Sequence, residues 1–571
     1  MDNSRIARLF NEVADLLDIR GENPFRVRSY RTAARTVEDH SEDLAAVLRD
    51  GGDLTALPGI GKDLAAKIAE IIETGRLGFL DELKAKLPPG LPELLRLEGV
   101  GPKKVKLFFE EAGVDSIENL DRAAREGRLR GLDRMGEKSE AGIIRAIENY
   151  RKHIGRFRLD DGLAAGAKIL DSLKPVADRV VAAGSLRRRR ETIGDLDILA
   201  VSSDPSALTD RFVNLPGTAS VPARGPTRSS IRLEGGLQVD LRVMEGDEFG
   251  SALLYFTGSQ AHNIALRRRA REMGLKVSEY GIFRGEEKVA GETEEDCYRA
   301  LELPWIPPEL RENRGEIEAA EDGRLPRLIE LEAIRGDLQS HSTASDGKES
   351  IMEMGRAAGR RGYGYIAITD HSRAVRVAGG LDEKQLARHL EEIERAGEKC
   401  PGVRILKGVE VDILADGTLD LADAILRECE VVVASIHSSF RLPRKEMTRR
   451  IVRALTNPHV NILGHPTGRM LLRREPCDFD FEEVVKAAVG EGVSLEINGH
   501  PARLDLNDVL ARRARELGAR LAVNTDAHSS AQLDLMTYGV FTARRAWLED
   551  RDVINTLPLE ELLAALNRPT R

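Results

Sequence analysis

Two aspartates separated by one residue, Asp195 and Asp197, begin an apolar segment that runs to Val201. Because side chains alternate along a strand, both carboxylates are expected on one face of it. Two such charges repel unless a cation lies between them, and Mg²⁺ and Mn²⁺ prefer carboxylate and phosphate oxygens. Asp240, in the alternating segment 238–243, is the candidate third carboxylate on a neighbouring strand. This pattern predicts metal-assisted nucleotidyl transfer.

A short motif, Gly184-Ser185, precedes the aspartate pair by about ten residues. It predicts a tight turn whose backbone N–H groups and hydroxyl suit a triphosphate. An isolated Asp-x-Asp pair is more often a solvated strand edge or a turn. The combination of the Gly-Ser turn, the pair and a third aspartate on a strand favours the catalytic interpretation.

The second half of the chain is rich in histidine, with eight of the eleven histidines after residue 340. Most of them, and several carboxylates, follow short apolar runs that alternate with helical segments. Strands that each deliver a polar side chain at the carboxyl end describe a (β/α) barrel with a site on that face. Mixed histidine and carboxylate ligands suit Zn²⁺ or Mn²⁺. One such histidine is usually structural, whereas six strand ends in register indicate a metal centre.

The N-terminal region, to about residue 85, has helical periodicity. There and shortly after it, a turn of apolar-Gly-apolar-Gly followed by a helix with an early lysine occurs twice, about forty residues apart. The glycines let the backbone approach a ligand, and free N–H groups at a helix start suit a phosphate. Both units resemble helix-hairpin-helix modules, which hold DNA by its backbone; two ordinary glycine-capped corners are the alternative. The implied DNA contacts are Gly59, Gly61, Lys62, Gly99, Gly101 and Lys103.

The composition is that of a globular protein with several domains. At 571 residues the chain is expected to hold three or four. It has no apolar run long enough for a membrane span, and residues 1–10 carry charges where a signal peptide would be apolar, so we expect a cytoplasmic protein with no membrane partner. The four cysteines are far apart and form no Cys-x-x-Cys pair. Because the net charge is −9, DNA binding must depend on local basic clusters and backbone amides.

The segment from about residue 5 to 312 resembles a family X DNA polymerase, the group typified by DNA polymerase beta. The resemblance rests on the two hairpins, the Gly-Ser turn, the three aspartates and the segment 255–259 with its following asparagine. It implies that the aspartates hold two metals and that Lys67 forms a Schiff base with a deoxyribose phosphate. One departure is Gln238, which stands where polymerase beta has an arginine. The implied nucleotide contacts are Gly184, Ser185, Arg188, Gly194, Tyr255, Phe256, Gly258 and Asn263.

The histidine-rich half resembles the polymerase and histidinol phosphatase (PHP) domain, a distorted seven-stranded barrel with up to three metals. Its first ligand is usually a histidine, but Gln339 stands here, so one metal is expected to be weakly bound or exchangeable. Arg373 and His500 are expected to line the substrate cleft, and His389 and His459 to be structural or exposed. The implied ligands are Gln339, His341, Asp346, His371, Glu410, His437, His465, Asp526 and His528.

The expected architecture is an all-α helix-hairpin-helix region, an α+β nucleotidyltransferase palm with a thumb, and a distorted (β/α)7 barrel. The expected boundaries are 1–88 for a helical DNA-binding domain, 89–159 for a fingers-like helical domain, 160–245 for the palm, 246–313 for the thumb, 314–334 for an extended, proline-stiffened linker and 335–571 for the PHP domain.

The expected function is a monomeric polymerase that fills short gaps in base excision repair, using deoxynucleoside triphosphates on gapped or primed DNA. The polymerase site would use Mg²⁺ or Mn²⁺ and the PHP site Zn²⁺ or Mn²⁺. In such polymerases the PHP domain implies 3′–5′ exonuclease, 3′-phosphatase and abasic-site endonuclease activities. Two alternatives stay open: a PHP nuclease or phosphatase with the polymerase half as a DNA-binding scaffold, and a nucleotidyltransferase for a small molecule or RNA.

Overall fold

The computed structural model describes residues 3–39, 44–49, 51–133 and 135–567. The chain divides into two compact units, one comprising residues up to 154 with 472–474 and the other residues 155–471 with 475–571. No helix in the described ranges is both long enough and apolar enough to cross a membrane.

The first unit is helical, and one hydrophobic cluster runs through it from Ile6 to Ile147. This cluster spans both of the segments expected as separate domains, 1–88 and 89–159, so their apolar faces share one core. Its helices are α1 (Asn3–Ile19), α2 (Pro24–Asp39), α3 (Leu44–Arg49), α4 (Lys62–Thr74), α5 (Gly78–Ala85), α6 (Pro102–Ala112), α7 (Ile117–Arg125) and α8 (Glu137–His153).

The second unit begins with a mixed five-stranded sheet in the order β2-β4-β7-β6-β5, in which β4 and β7 are parallel and the other pairs antiparallel. Alternate residues of the two parallel strands, such as Leu196 and Val239, are buried in one core. The elements are β1 (Phe157–Arg158), α9 (Leu159–Leu173), β2 (Arg179–Ala182), α10 (Gly184–Arg187), β3 (Thr192–Ile193), β4 (Asp195–Val201), α11 (Pro205–Val213), β5 (Thr218–Ala223), β6 (Arg228–Leu233) and β7 (Gln238–Val243).

The next region combines helices with a three-stranded antiparallel sheet. The Ser259 hydroxyl caps its second helix by accepting the His262 backbone N–H. The elements are α12 (Phe249–Thr257), α13 (Gln260–Glu272), β8 (Lys276–Ser278), β9 (Gly281–Arg284), β10 (Glu287–Ala290), α14 (Glu294–Ala300) and α15 (Glu316–Glu321).

The segment 314–334 differs from the extended linker that its charge and prolines predict, because α15 lies within it. Ile317 and Ala320 stand three residues apart in an acidic run, which gives one short apolar face. That face is buried in the same cluster as Leu254 and Leu266 of α12 and α13. This part of the chain therefore packs as part of the thumb region.

The C-terminal region contains seven parallel strands in chain order. A parallel bridge between Ser340 and Ala527 brings the last strand end beside the first and nearly closes the barrel. The elements are β11 (Gly336–Asp337), α16 (Ile351–Arg360), β12 (Tyr365–Ile368), α17 (Glu383–Gly397), β13 (Arg404–Asp412), α18 (Asp423–Leu426), β14 (Val431–Ser435), α19 (Arg444–Leu455), β15 (Ile462–Leu463), α20 (Phe481–Glu491), β16 (Ser494–Asn498), α21 (Asp508–Glu516), β17 (Leu521–Asn524), α22 (Met536–Arg545) and α23 (Leu559–Leu566).

Candidate functional site

The three predicted aspartates lie together on β4 and β7. The parallel register pairs Asp197 with Asp240 and Asp195 with Gln238. The Ser230 hydroxyl donates to one carboxylate oxygen of Asp240, and Gln238 Nε2 donates to the other at 2.9 Å. Gln238 therefore orients the third aspartate, although an arginine stands there in polymerase beta.

Residues 184–191, here named the Gly184 turn, bring backbone directly against these carboxylates. Gly184 has φ +60, and a Cβ there would lie 2.2 Å from Asp197 Oδ2. A larger residue would be strained and would collide with the carboxylate. The close approach explains why glycine is needed beside Ser185.

Most of the predicted nucleotide contacts surround one cavity of about 390 Å³, within the usual size range of ligand pockets. Gly194 lies in the turn before β4 and is not among the lining residues. Gln260 and Arg267 of α13 line the cavity but escaped sequence reasoning, since a polar helix face is usually only solvated. The lining residues are Gly184, Ser185, Arg188, Asp195, Asp197, Tyr255, Phe256, Gly258, Gln260, Asn263 and Arg267.

The electrostatics of this site call for a cation. Burial, together with the charges of Asp195 and Asp240, raises the pKa of Asp197 to about 7. Without a counter-charge the three carboxylates destabilise one another, and oxygen donors of this kind fit Mg²⁺ or Mn²⁺. The residues present therefore fit the expected metals.

Arg187 points away from the cavity into a buried ion cluster. Its guanidinium donates to both carboxylate oxygens of Glu294 at 2.7 Å each. Arg311, fully buried, donates to the same carboxylate, as does the Trp305 indole at 3.0 Å. The cluster fixes the Gly184 turn to the thumb region.

The barrel assembles the second predicted site at the carboxyl ends of its strands. The described residues include groups of potential ligand atoms, each group lying within 4.8 Å. One carboxylate, Glu410, and two histidines, His341 and His371, each belong to two of the groups, as closely spaced metal ions would require. The groups are His341, Asp346, His371 and His528; His371, Glu410 and His437; and His341, Glu410 and Asp526.

Glu410 stands at the centre of this site. One of its oxygens lies 3.0 Å from His465 Nε2 and 3.5 Å from His437 Nε2. The other lies 3.6 Å from His341 Nε2 and 2.9 Å from His371 Nδ1, although this last pair is not aligned as a hydrogen bond. Burial alone would raise the pKa of Glu410, but His437 and His371 hold that pKa well below its usual range.

The carboxylates of the site favour positive charge on two of its histidines. Burial lowers the pKa of His371, yet Glu410 and Asp346 raise it to about 9. The pKa of His528 is likewise raised to about 9, because Asp346 and Asp526 outweigh its burial. A metal ion held by these residues would supply the same positive charge in place of the protons.

Several buried polar atoms of the site have no hydrogen-bond partner among the described residues, as expected of atoms that bind a metal ion. Gln339 is fully buried, and its amide lies beside the strand end that carries His465, since a Cβ on Gly464 would lie 3.5 Å from Gln339 Oε1. The unpartnered atoms include both amide atoms of Gln339 and the Nδ1 atoms of His341 and His465. The donor set fits a metal centre.

Further polar residues hold the ligands in place. Asp412 accepts the backbone N–H of His437 at 3.1 Å and lies 3.0 Å from its Nδ1. Asp370 accepts from the backbone and hydroxyl of Ser342, at 2.9 and 2.7 Å, which fixes the loop after His341. His389 is buried 2.8 Å from the same aspartate, in agreement with a structural role.

The barrel site opens into a cavity of about 210 Å³. Arg503, which sequence reasoning missed, lines it 3.8 Å from Asp526. Arg373 and His500 are not among the lining residues; Arg373 pairs instead with Glu383 on the surface. No local pattern distinguishes Arg503 from other surface arginines in the sequence.

The two hairpins of the first unit have nearly identical backbones. Gly59 and Gly99 have φ +75 and +73, and Gly61 and Gly101 cap α4 and α6 in extended conformations. These glycines are exposed, as are the lysines that follow them, Lys62 and Lys103. Both helix starts are therefore open to an anionic ligand.

Lys67 lies on α4 but is not freely solvated. Its ammonium pairs with Asp63 and lies 5.6 Å from the ring centroid of Phe79. Its side chain is 16% exposed. The residue is thus held near the surface in one position.

Fold and geometry together define a polymerase-type nucleotidyltransferase joined to a histidine-rich metal-binding barrel. Comparison with protein families matches the description "Helix-hairpin-helix domain" to residues 1–77 and "SAM-like Helix-hairpin-helix tandem" to 91–149. The description "DNA polymerase beta thumb" matches residues 252–312, and "PHP domain" matches 337–500.

Similar proteins cover the chain in full or in part. It is 40% identical over 577 residues to "DNA polymerase/3′-5′ exonuclease PolX" of Bacillus subtilis (strain 168), with all of both chains covered. A "Probable phosphatase" of Thermoanaerobacter sp. (strain X514) is 31% identical over 231 residues, 38% of this chain and 89% of the relative. "DNA polymerase lambda" of Rattus norvegicus is 24% identical over 342 residues, 54% of this chain and 56% of the relative.

The full-length similarity shows that the chain belongs to the family X DNA polymerases that carry a C-terminal PHP domain. The resemblance and the fold class inferred from sequence are thereby confirmed.

Proposed function

We propose that this chain is a DNA-directed DNA polymerase that fills short gaps in base excision repair, and that its PHP domain processes the 3′ end of the same primer. The observation that carries the proposal is the pairing of Asp197 with Asp240 on neighbouring strands, next to a cavity that Asp197 lines together with Ser185 and Arg188. A scaffold would have no need to keep charged carboxylates together in a partly buried site, because such a cluster is costly.

In the polymerase site, Asp195, Asp197 and Asp240 would hold two Mg²⁺ or Mn²⁺ ions. Such ions, when bound, lower the pKa of a primer hydroxyl and offset the charge on phosphate oxygens. Ser230 and Gln238 keep Asp240 oriented for this task.

The substrate-binding residues surround the metal ligands. Ser185 and the N–H groups of the Gly184 turn would bind the triphosphate, with Arg188 offsetting its charge. Tyr255 and Phe256 would pack against the sugar, next to Gly258. Asn263, whose amide donates to the Tyr255 carbonyl at 2.7 Å, would contact the base.

In the PHP site, the nine predicted ligands would hold up to three Zn²⁺ or Mn²⁺ ions. Such ions activate a bound water and stabilise a leaving oxygen in phosphoester hydrolysis. Arg503 would bind the phosphate that is cleaved, since it is the arginine that lines the cavity. This chemistry supports 3′–5′ exonuclease, 3′-phosphatase and abasic-site endonuclease activities.

DNA binding would use the two hairpins. We also propose the domain boundaries that the sequence predicts. Lys67 would form the Schiff base with a 5′-deoxyribose phosphate; borohydride trapping that persists in Lys67→Ala would contradict this role. We further propose that the protein acts as a cytoplasmic monomer on gapped or primed DNA.

The test uses a one-nucleotide gapped duplex with a labelled primer and Mn²⁺, with and without deoxynucleoside triphosphates. Asp195→Ala is expected to lose primer extension and to keep shortening, whereas His341→Ala is expected to show the reverse. If the wild type neither extends nor shortens the primer, the proposed function fails. Extension that survives in Asp195→Ala would place the activity elsewhere and favour the scaffold alternative.

Gln339→His is expected to tighten metal binding by the PHP site. Mutation of residues that only hydrogen-bond to metal ligands changes metal affinity by roughly 10–100-fold. Replacing a weak amide ligand by an imidazole should therefore increase the affinity for Zn²⁺ at least about tenfold. Competition with a chelator on the full-length protein measures this directly. Gln532 does not serve as a control because its side-chain oxygen accepts the backbone N–H of His528. The exposed Gln385 of α17 serves instead, and Gln385→His is the matched control. Unchanged zinc affinity would show that residue 339 is not a ligand.

A further inference from the structure

The Gly184 turn is held by a helix that lies more than 350 positions later in the chain. Arg545, at the end of α22, donates to the Arg188 carbonyl at 2.6 Å across a separation of 357 positions. The guanidinium of Arg189 lies 4.5 Å from the ring centroid of Phe541 in the same helix. The PHP barrel thus supports the turn that lines the nucleotide cavity.

An ion network connects the same helix to the side chain of Arg188. Arg188 Nε donates to Glu312 at 3.1 Å, and Arg545 lies 3.2 Å from the same carboxylate. Arg545 also donates to Asp508 of α21 at 2.7 Å, and Asp508 pairs with Arg314 at 2.9 Å. Positively and negatively charged side chains therefore alternate along a network that leads from the nucleotide cavity into the barrel.

The negative charge on Glu312 explains why Arg545 is needed beside Arg188. Burial alone would raise the pKa of Glu312, but Arg545 and Arg188 hold it below its usual value, so the group is a carboxylate. A buried carboxylate bound to one arginine alone would hold that arginine strongly, because ion pairs strengthen as the dielectric falls. Since Arg545 at 3.2 Å, and more distantly Arg190 at 3.8 Å, share the carboxylate, Arg188 is oriented but keeps charge available for a ligand.

We propose that Arg545 and Glu312 are positioning residues for Arg188, so that the PHP domain completes the nucleotide site of the polymerase domain. The inference rests on the proposed role of Arg188 in binding the triphosphate. Removing Arg545 leaves the carboxylates of Glu312 and Asp508 with fewer counter-charges, which also lowers the stability of the fold. The effect on nucleotide binding is therefore measured on protein that is shown to be folded.

The test measures single-nucleotide gap filling by the full-length protein at varied deoxynucleotide concentration. Arg545→Ala is expected to raise KM for the nucleotide about tenfold and to change kcat less than about twofold. Arg545→Lys is expected to recover only part of the loss, because lysine has one compact charge and cannot bridge the carbonyl and two carboxylates. Arg544→Ala is the matched control, because Arg544 is next to Arg545 in the chain but pairs with Glu309 and Glu330 and not with Glu312.

A double-mutant comparison separates positioning from a general structural role. If Arg545 acts through Arg188, then Arg545→Ala should change KM less than about twofold in an Arg188→Ala background. An equal effect in both backgrounds, or an unchanged KM in Arg545→Ala, would overturn the inference.

Primer shortening by the PHP site serves as the check on folding. If Arg545→Ala loses shortening as well as extension, Arg545→Lys replaces it in the test. The change in KM that Arg545→Lys causes is then compared between the wild-type and Arg188→Ala backgrounds, and an equal change in both would overturn the inference. A wild type that fails to extend the primer refutes the proposed function itself, which distinguishes that failure from a failure of this inference.

Discussion

Asp197→Asn is expected to reduce primer extension at least about 1,000-fold, equivalent to about 4 kcal/mol of transition-state stabilisation. Asp197 faces both Asp195 and Asp240, so the amide removes the charge that binds metal from the middle of the cluster. Single-turnover extension of a labelled primer measures the loss. Asp210→Asn, an exposed residue of α11 in the same region, is the control and should extend normally.

The same aspartate predicts how the magnesium requirement depends on pH. Because the pKa of Asp197 is raised to about 7, protons and metal compete for one carboxylate below pH 7. The half-saturating Mg²⁺ concentration is expected to rise up to about tenfold per pH unit below 7 and to change little above it. Titration of Mg²⁺ in the extension assay at pH 6, 7 and 8 tests this; equal requirements at pH 6 and 8 would contradict it.

The two strands that carry the candidate catalytic aspartates are predictable from the sequence because their pattern is local. The predicted segments 195–201 and 238–243 coincide with β4 and β7. Alternation along β4 places Asp195 and Asp197 on one face, and the register with β7 brings Asp240 beside them. The proposed metal ligands of the barrel can be predicted for the same reason, since most of them directly follow an apolar run.

Partners from distant segments leave no such local pattern. Arg469 donates to Glu191 across 278 positions, and nothing near either residue indicates the other. The acidic run that contains Glu316 reads as exposed, yet this residue is fully buried because it accepts from the Asn313 and Arg314 backbones and lies 2.7 Å from His262 Nδ1. Such burial depends on tertiary contacts that composition alone does not contain.

Glu410→Gln is expected to reduce primer shortening at least about 1,000-fold, about 4 kcal/mol, while extension stays normal. The carboxylate is fully buried and belongs to two of the three groups of potential ligands. Glutamine keeps its shape but removes the charge that balances the surrounding histidines. The metal content of the purified full-length protein should therefore fall along with the activity, which elemental analysis measures.

The matched control for this variant is Glu428→Gln, an exposed residue that follows α18 in the same barrel. It should keep both its metal content and its shortening activity. Loss of shortening in Glu410→Gln with full metal content would assign Glu410 a role other than ligation. Normal shortening in Glu410→Gln would exclude the barrel centre as the site of hydrolysis. The variant lacks the carboxylate that two of the three ligand groups share, so metal-dependent hydrolysis at that centre should not survive it.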